Sequence, residues 1–148
     1  MVTVVFVCLG NICRSPMAEG LFQDYLQKHG QRAAVSSRAT STWEQGNPVH
    51  PGTAKVLRKH SVDYAGKVSQ RITPQDIASA DLVIAMDQSN YDDLIDLGVP
   101  VQKLHLYMEY APDSDQSIPD PWYTGNFEET EMLIRKGLAF WASAIQAR

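Results

Sequence analysis

Val7-Cys8-Leu9-Gly10-Asn11-Ile12-Cys13-Arg14-Ser15-Pro16 joins the end of a strand to the start of a helix, and the fold follows from this join. Upstream, Thr3-Val4-Val5-Phe6-Val7 is a short apolar, β-branched run, as expected of a parallel strand covered on both faces. Downstream, Ser15 is a good N-cap, and Pro16 at a first helical position loses no needed hydrogen bond. Leu21, Phe22, Tyr25 and Leu26 keep helical spacing, and Gly30 ends the segment. Gly10 permits the tight curl of the loop between. In an open α/β sheet, ligands collect at such a junction, where a strand's carboxyl end meets a helix N-terminus. Successive backbone amides facing inward, the positive end of the helix and the planar fork of Arg14 together make a cradle for a tetrahedral oxyanion.

Strands and helices alternate through the rest of the chain. Ala33 to Ala39 reads as a second strand, and a Ser-, Thr-, Gly- and Pro-rich loop, Thr40 to Gly52, leads to a helix near Thr53 to His60. Asp81 to Met86 is a third strand. Asp87 or Ser89 can cap the helix after it, with Tyr91, Leu94 and Ile95 on its apolar side. Lys103 to Tyr107 is a fourth strand. A Pro- and Asp-bearing loop, Ala111 to Asn126, precedes a last helix, Phe127 to Gln146, with a stripe of Met132, Leu133, Leu138, Trp141 and Ile145. The expected fold is therefore α/β: a single-domain, doubly wound sheet of about four parallel strands over residues 1–148, helices on both faces, phosphate loop after the first strand.

Composition narrows the function. At 148 residues, 44% hydrophobic and 20% charged, the chain can bury a core and is not disordered. A net charge of −4 argues against a nucleic-acid binder, which needs a basic excess. No apolar run is long enough to cross a membrane, and Val2 to Leu9 lacks the flanks of a signal peptide. Cys8 and Cys13 would close too small a loop to staple a fold, and the four histidines are too scattered for a zinc site. Two thiols in a reducing cytoplasm, with no metal and no cofactor, are the expectation. The sequence sets no oligomeric state.

Cys8 lies at the floor of the cradle, where the positive field pushes a thiol toward thiolate, the competent nucleophile. Ser15 can donate a hydrogen bond to that sulfur. A nucleophile beneath an anion cradle suits phosphoryl transfer through a cysteinyl-phosphate, which also needs an acid for the leaving oxygen. Asp120, in Ser117-Ile118-Pro119-Asp120-Pro121-Trp122-Tyr123, is the candidate: two prolines stiffen its loop and two aromatics follow. Trp122, Tyr123 and Trp43 would form walls of a binding site, although a lone Trp more often covers core.

These residues resemble the low-molecular-weight protein tyrosine phosphatases over essentially the whole chain. The signature is Val7 to Pro16, joined by Thr40-Ser41-Thr42-Trp43 with Gly46-Asn47-Pro48, by Met86 to Asn90, and by Asp120 to Tyr123. The resemblance implies Cys8 as the residue that becomes phosphocysteine and Arg14 as the phosphate and transition-state clamp. It implies Asp120 as acid and then base. The loop Leu9, Gly10, Asn11, Ile12, Cys13 and Ser15 would bind phosphate, with Asn11 holding its shape and Ser15 assisting the thiolate. Trp43, Trp122 and Tyr123 would flank a flat substrate ring. Cys13 would be a redox partner, able to form a reversible disulfide with Cys8. The implied substrates are tyrosine-phosphorylated proteins or small aryl phosphates. The chain departs from the family at Trp122, where many members carry Tyr, and in Ser36 to Thr40. It departs again at Gly66-Lys67-Val68, where members often have a His that contacts the loop Asn.

Two other readings fit less well. An arsenate reductase on the same fold needs thiols downstream of Cys13, and there are none. A non-catalytic phosphate-binding module predicts a missing nucleophile, Arg or acid, yet Cys8, Arg14 and Asp120 are all present. Asp92, Asp93 and Asp96 are most simply the solvated side of a helix.

Overall fold

The computed structural model describes residues 1–148. In chain order the elements are β1 (Thr3–Cys8), α1 (Arg14–Lys28), β2 (Ala34–Ala39), α2 (Pro51–Lys59), α3 (Pro74–Ser79), β3 (Leu82–Ala85), α4 (Gln88–Asp96), β4 (Leu104–Leu106), α5 (Pro121–Thr124) and α6 (Phe127–Gln146). The four strands form one parallel sheet in the order β2-β1-β3-β4. Side chains of β1 alternate between two cores, as a strand covered on both faces requires. Val4, Phe6 and Cys8 join Met17, Leu21 and Phe22 of α1 and Trp141 and Ile145 of α6. Val5 and Val7 join Val83, Ala85, Leu94 and Val99 on the other face. Helices thus cover both faces, as the sequence predicts. No helix is long and apolar enough to cross a membrane.

The topology places the site. From β1 the chain goes to β2 on one side and later returns to β3 on the other, so the connections diverge at the carboxyl end of β1. The register sets Cys8 beside Ala39 and Val7 beside Ala85, so three strand ends are level there.

Several boundaries differ from the sequence expectation. Helix α1 begins at Arg14 with Cys13 at its N-cap and no side-chain cap bond; the Ser15 hydroxyl is used elsewhere. Helix α2 begins at Pro51 rather than near Thr53, because the ring of His50 accepts from the Gly52 amide and caps it. Helix α3 has no counterpart in the apolar pattern: it buries no residue and rests on a reciprocal Thr73–Asp76 capping box. Asp120 is the N-cap of the one-turn α5 rather than a plain loop residue. Met132 and Ile95 are not core: they are 47% and 42% exposed. Met132 sits two residues before buried Ile134, roughly 200° around the helix from it.

Candidate active site

The loop from Leu9 to Cys13 is shaped by what holds its carbonyls. Leu9 O accepts from the amide and hydroxyl of Ser41, and Gly10 O from the Ser69 hydroxyl. Ile12 O accepts from the amide of His50, and Cys13 O from the buried Thr53 hydroxyl. A peptide's N–H points opposite to its C=O, so anchoring these carbonyls in the body of the protein turns the following amides the other way. None of the amides of Leu9 to Cys13 donates to a backbone carbonyl. Buried backbone donors need a partner, and a run of them at a helix N-terminus is an anion site.

The left-handed residue of this loop is Asn11, with φ 56°, and not Gly10. A non-glycine residue holds such a conformation only where its surroundings over-determine it. Here the Asn11 side chain, 1% exposed, donates from Nδ2 to the hydroxyls of Ser15 (2.8 Å) and Ser37 (2.9 Å). Its Oδ1 accepts from the Gln70 amide at 3.1 Å. Lys67, near where a His would be expected to contact Asn11, reaches instead Ser37 O, at 3.1 Å, and Glu19, at 3.2 Å.

Cys8 Sγ lies 3.1 Å from the Ser15 hydroxyl and 3.4 Å from the Ser15 amide. At Cys13, burial, then the charges of Cys8, Asp120 and Glu44, outweigh Arg14 and push the thiol up to about 12. Cys13 is therefore a neutral thiol near pH 7.

Arg14 is 2% exposed. Its Nη1 donates to Asp87 at 2.7 Å and to Ile118 O at 2.9 Å, and Nη2 reaches Asp120 at 3.3 Å. Burial disfavours its charge, but the charges of Cys8, Asp87 and Asp120 outweigh it, so the guanidinium is held even more firmly protonated than usual. Nε is buried and has no partner in the protein. That open donor is what a bound oxyanion would satisfy.

A cavity of about 140 Å³ gathers most of the candidates: Cys8, Leu9, Gly10, Ile12, Cys13, Arg14, Asp120, Trp43, Trp122 and Tyr123 all line it. Asn11 and Ser15 stand behind it and shape the loop. Trp43, Trp122 and Tyr123 are 76%, 54% and 75% exposed, so none of them covers core. The sequence reading missed three contributors. Glu44 lines the rim. His50 stacks on Phe127 and meets the edge of Trp122, bracing the aromatic wall. Asp87, read only as a helix cap, does cap α4 through Oδ1 but also anchors Arg14 through Oδ2. Its position two residues past β3, whose Ala85 pairs with Val7, was the available signal.

The family model for low molecular weight phosphotyrosine protein phosphatase matches residues 3–148. The low molecular weight protein-tyrosine-phosphatase YfkJ of Bacillus subtilis is 40% identical, with 99% of this chain and 97% of that protein covered. Its crystal structure superposes with a TM-score of 0.93 at 38% identity over 99% of this chain and 96% of that one. The crystal structure of a low molecular weight protein tyrosine phosphatase from Streptococcus pyogenes gives a TM-score of 0.86 at 41% identity, covering 97% and 93%. Signature loop, sheet order and full-length similarity agree, and the chain belongs to the low molecular weight protein tyrosine phosphatase family.

Proposed function

We propose that this protein hydrolyses phosphotyrosine, in proteins or as small aryl phosphates, in two steps through a phosphocysteine at Cys8. The observation that carries this reading is the loop beside Cys8 whose carbonyls are tied into the body of the protein while its amides have no backbone partner, together with the unpartnered Nε of Arg14. In the first step the Cys8 sulfur attacks phosphorus, the P–O bond to the phenol breaks, and Asp120 gives its proton to the departing oxygen. The amides and Arg14 stabilise the charge spread over the three equatorial oxygens. In the second step water attacks phosphorus, Asp120 takes its proton, and the S–P bond breaks to release phosphate. Ser15, donating to the sulfur, favours it both as nucleophile and as leaving group.

Reach selects the substrate. Cys8 is 3% exposed beneath a rim of three aromatic rings, so a phosphate on a phenol reaches it more readily than one on the short serine side chain. Leu9, Ile12 and the rings offer the phenyl group an apolar lining. Cys13 lines the same cavity, and a protective redox role follows for it. Peroxide would oxidise Cys8 to a sulfenic acid, and the Cys13 thiol would condense with it, releasing water and forming a disulfide that a dithiol reverses. Such thiol chemistry suits a reducing compartment such as the cytoplasm.

The test is phosphate release from matched phosphotyrosine and phosphoserine peptides with EDTA present. Turnover of the phosphotyrosine peptide alone, absent in Cys8→Ser, is expected. Equal turnover of both peptides would overturn the substrate class, and turnover surviving in Cys8→Ser would overturn the mechanism.

A further inference from the structure

Trp43 belongs to two cavities. One is catalytic; the other, a groove of about 630 Å³, adjoins it at Leu9 and Trp43, which line both. The end of α4 supplies Asp93 and Asp96 to this groove, and its C-cap supplies Leu97. Three residues apart on a helix, the two carboxylates share a face and repel each other. They also sit in the last turn, where the negative end of the helix favours cations. No basic residue stands in that turn, and no Lys, Arg or His of the chain pairs with either carboxylate. Asp92, in contrast, accepts from Gln88 at 2.9 Å and lines no part of the groove. The one cation in the groove, Arg71, donates from Nε to Thr40 O at 3.1 Å and pairs with neither Asp. The hydroxyl of Thr40, a wall residue only 7% exposed, has no partner in the protein. Unpaired like charges set against their own helix dipole lower stability, and such local conflicts mark functional sites.

We propose that this groove holds the polypeptide that flanks the phosphotyrosine, and that Asp93 and Asp96 select substrates with a Lys or Arg close to it. With phosphate over Cys8, the chain carrying the ring leaves the catalytic cavity across its rim, and at Trp43 the groove begins where that cavity ends. A Lys or Arg there lays its aliphatic stem on Leu97 and Leu9 and brings its charge to Asp93 and Asp96. The added cation removes the repulsion between the carboxylates and meets the negative end of α4. Trp43, 76% exposed, offers an arginine a cation–π contact as well. The Thr40 hydroxyl is left for a polar group of the bound segment. An acidic neighbour is disfavoured, because two carboxylates outweigh Arg71. p-Nitrophenyl phosphate carries no flanking chain and does not use the groove.

The inference rests on the reading of Cys8 as the nucleophile of a phosphotyrosine phosphatase. The test uses an otherwise neutral phosphotyrosine peptide with a single Arg, Gln or Glu placed in turn at each position flanking the phosphotyrosine. kcat/KM is read for the wild type and for the double variant Asp93→Asn/Asp96→Asn, with p-nitrophenyl phosphate as a further substrate. In the wild type, Arg at one or more positions should exceed Gln by about fivefold, mainly through KM, with Glu below Gln. In the double variant the ratio of Arg to Gln should fall to about one. The ratio is taken within each protein, so a general change in activity cancels. The substitutions take repelling charges off a helix end, so the variant should melt no lower than the wild type. Equal rates on Arg and Gln peptides at every position in the wild type would overturn the proposal. An Arg preference that survives in the double variant would also overturn it, because another group, such as Glu44 on the rim, would then be reading the cation. So would turnover of p-nitrophenyl phosphate with no peptide hydrolysed. A wild type inactive on every substrate would instead strike the phosphatase reading itself.

Discussion

The floor of the catalytic cavity and its rim differ in how their side chains are held. On the floor, Asn11, Arg14 and Ser15 are at most 2% exposed, and each is tied to named partners on other elements. On the rim, Trp43, Trp122 and Tyr123 are all more than half exposed, and none of their ring polar atoms is hydrogen-bonded within the protein. Charge acts strongly where water is excluded and groups are already in place, so in the proposed mechanism the floor would carry the transition state. The rim offers area to a ring that arrives from solvent, which adds affinity equally to ground and transition states. Substitutions should follow this division: large losses in kcat on the floor, modest changes in KM on the rim.

The largest effect is expected for Cys8→Ser, with loss of turnover by about four orders of magnitude or more and inorganic phosphate still bound, as read by titration calorimetry. Asp120→Asn comes next. It should cost about 10²–10⁴-fold in kcat/KM on phenyl phosphate, and far less on p-nitrophenyl phosphate, whose leaving group needs no proton. Equal losses on the two substrates would deny Asp120 its acid role. Asp87→Asn keeps the α4 cap but weakens the anchor of Arg14, and should cost about tenfold in kcat with a weaker grip on phosphate. Trp43→Ala should raise KM for aryl phosphates by about three- to tenfold with kcat nearly unchanged, a ring-contact effect. A kcat loss there as large as that of Asp87→Asn would erase the distinction between rim and floor.

The smallest effect is on stability alone. Glu131, on α6, is buried and accepts from Lys59 at 2.7 Å and His60 at 2.6 Å, tying α6 to the end of α2. Burial pushes its carboxyl up, but the hydrogen bonds from His60 and Lys59 and their charges outweigh this and hold it below the ordinary 4.5. A carboxyl lowered in the folded state contributes stability that is present above its unfolded value and lost as pH falls through the folded one. Glu131→Gln should therefore lower Tm by a few degrees at pH 7, and the difference should shrink below about pH 4. Activity at pH 7 should not change.

Legibility in the sequence followed residue chemistry. The sheet was readable because β1 and β3 are uninterrupted apolar runs, and such runs need cover on both faces. That Cys8, Arg14 and Asp120 gather at one cavity was readable because their spacing sets them at strand and helix ends. What stayed hidden was carried by groups with two uses. Ser15 reads as a cap, but its hydroxyl serves Cys8, and the helix starts without it. The turn read into Gly10 is taken by Asn11, whose left-handed backbone is held by bonds to Ser37 and Gln70, distant in sequence. Asp87 does cap a helix, and its second oxygen, which no local pattern reports, holds Arg14. Lys67 looked like a gap in the loop's support because its contact reaches Asn11 only through Ser37.

The most direct test of the central claim is to acid-quench the enzyme within its first turnovers of a phosphotyrosine peptide and locate the trapped phosphoryl group by mass spectrometry. One phosphoryl group on the sulfur of Cys8, absent in Cys8→Ser, is the expected result. Rapid turnover with no phosphoenzyme, or a phosphoryl group trapped on any other residue, would contradict it.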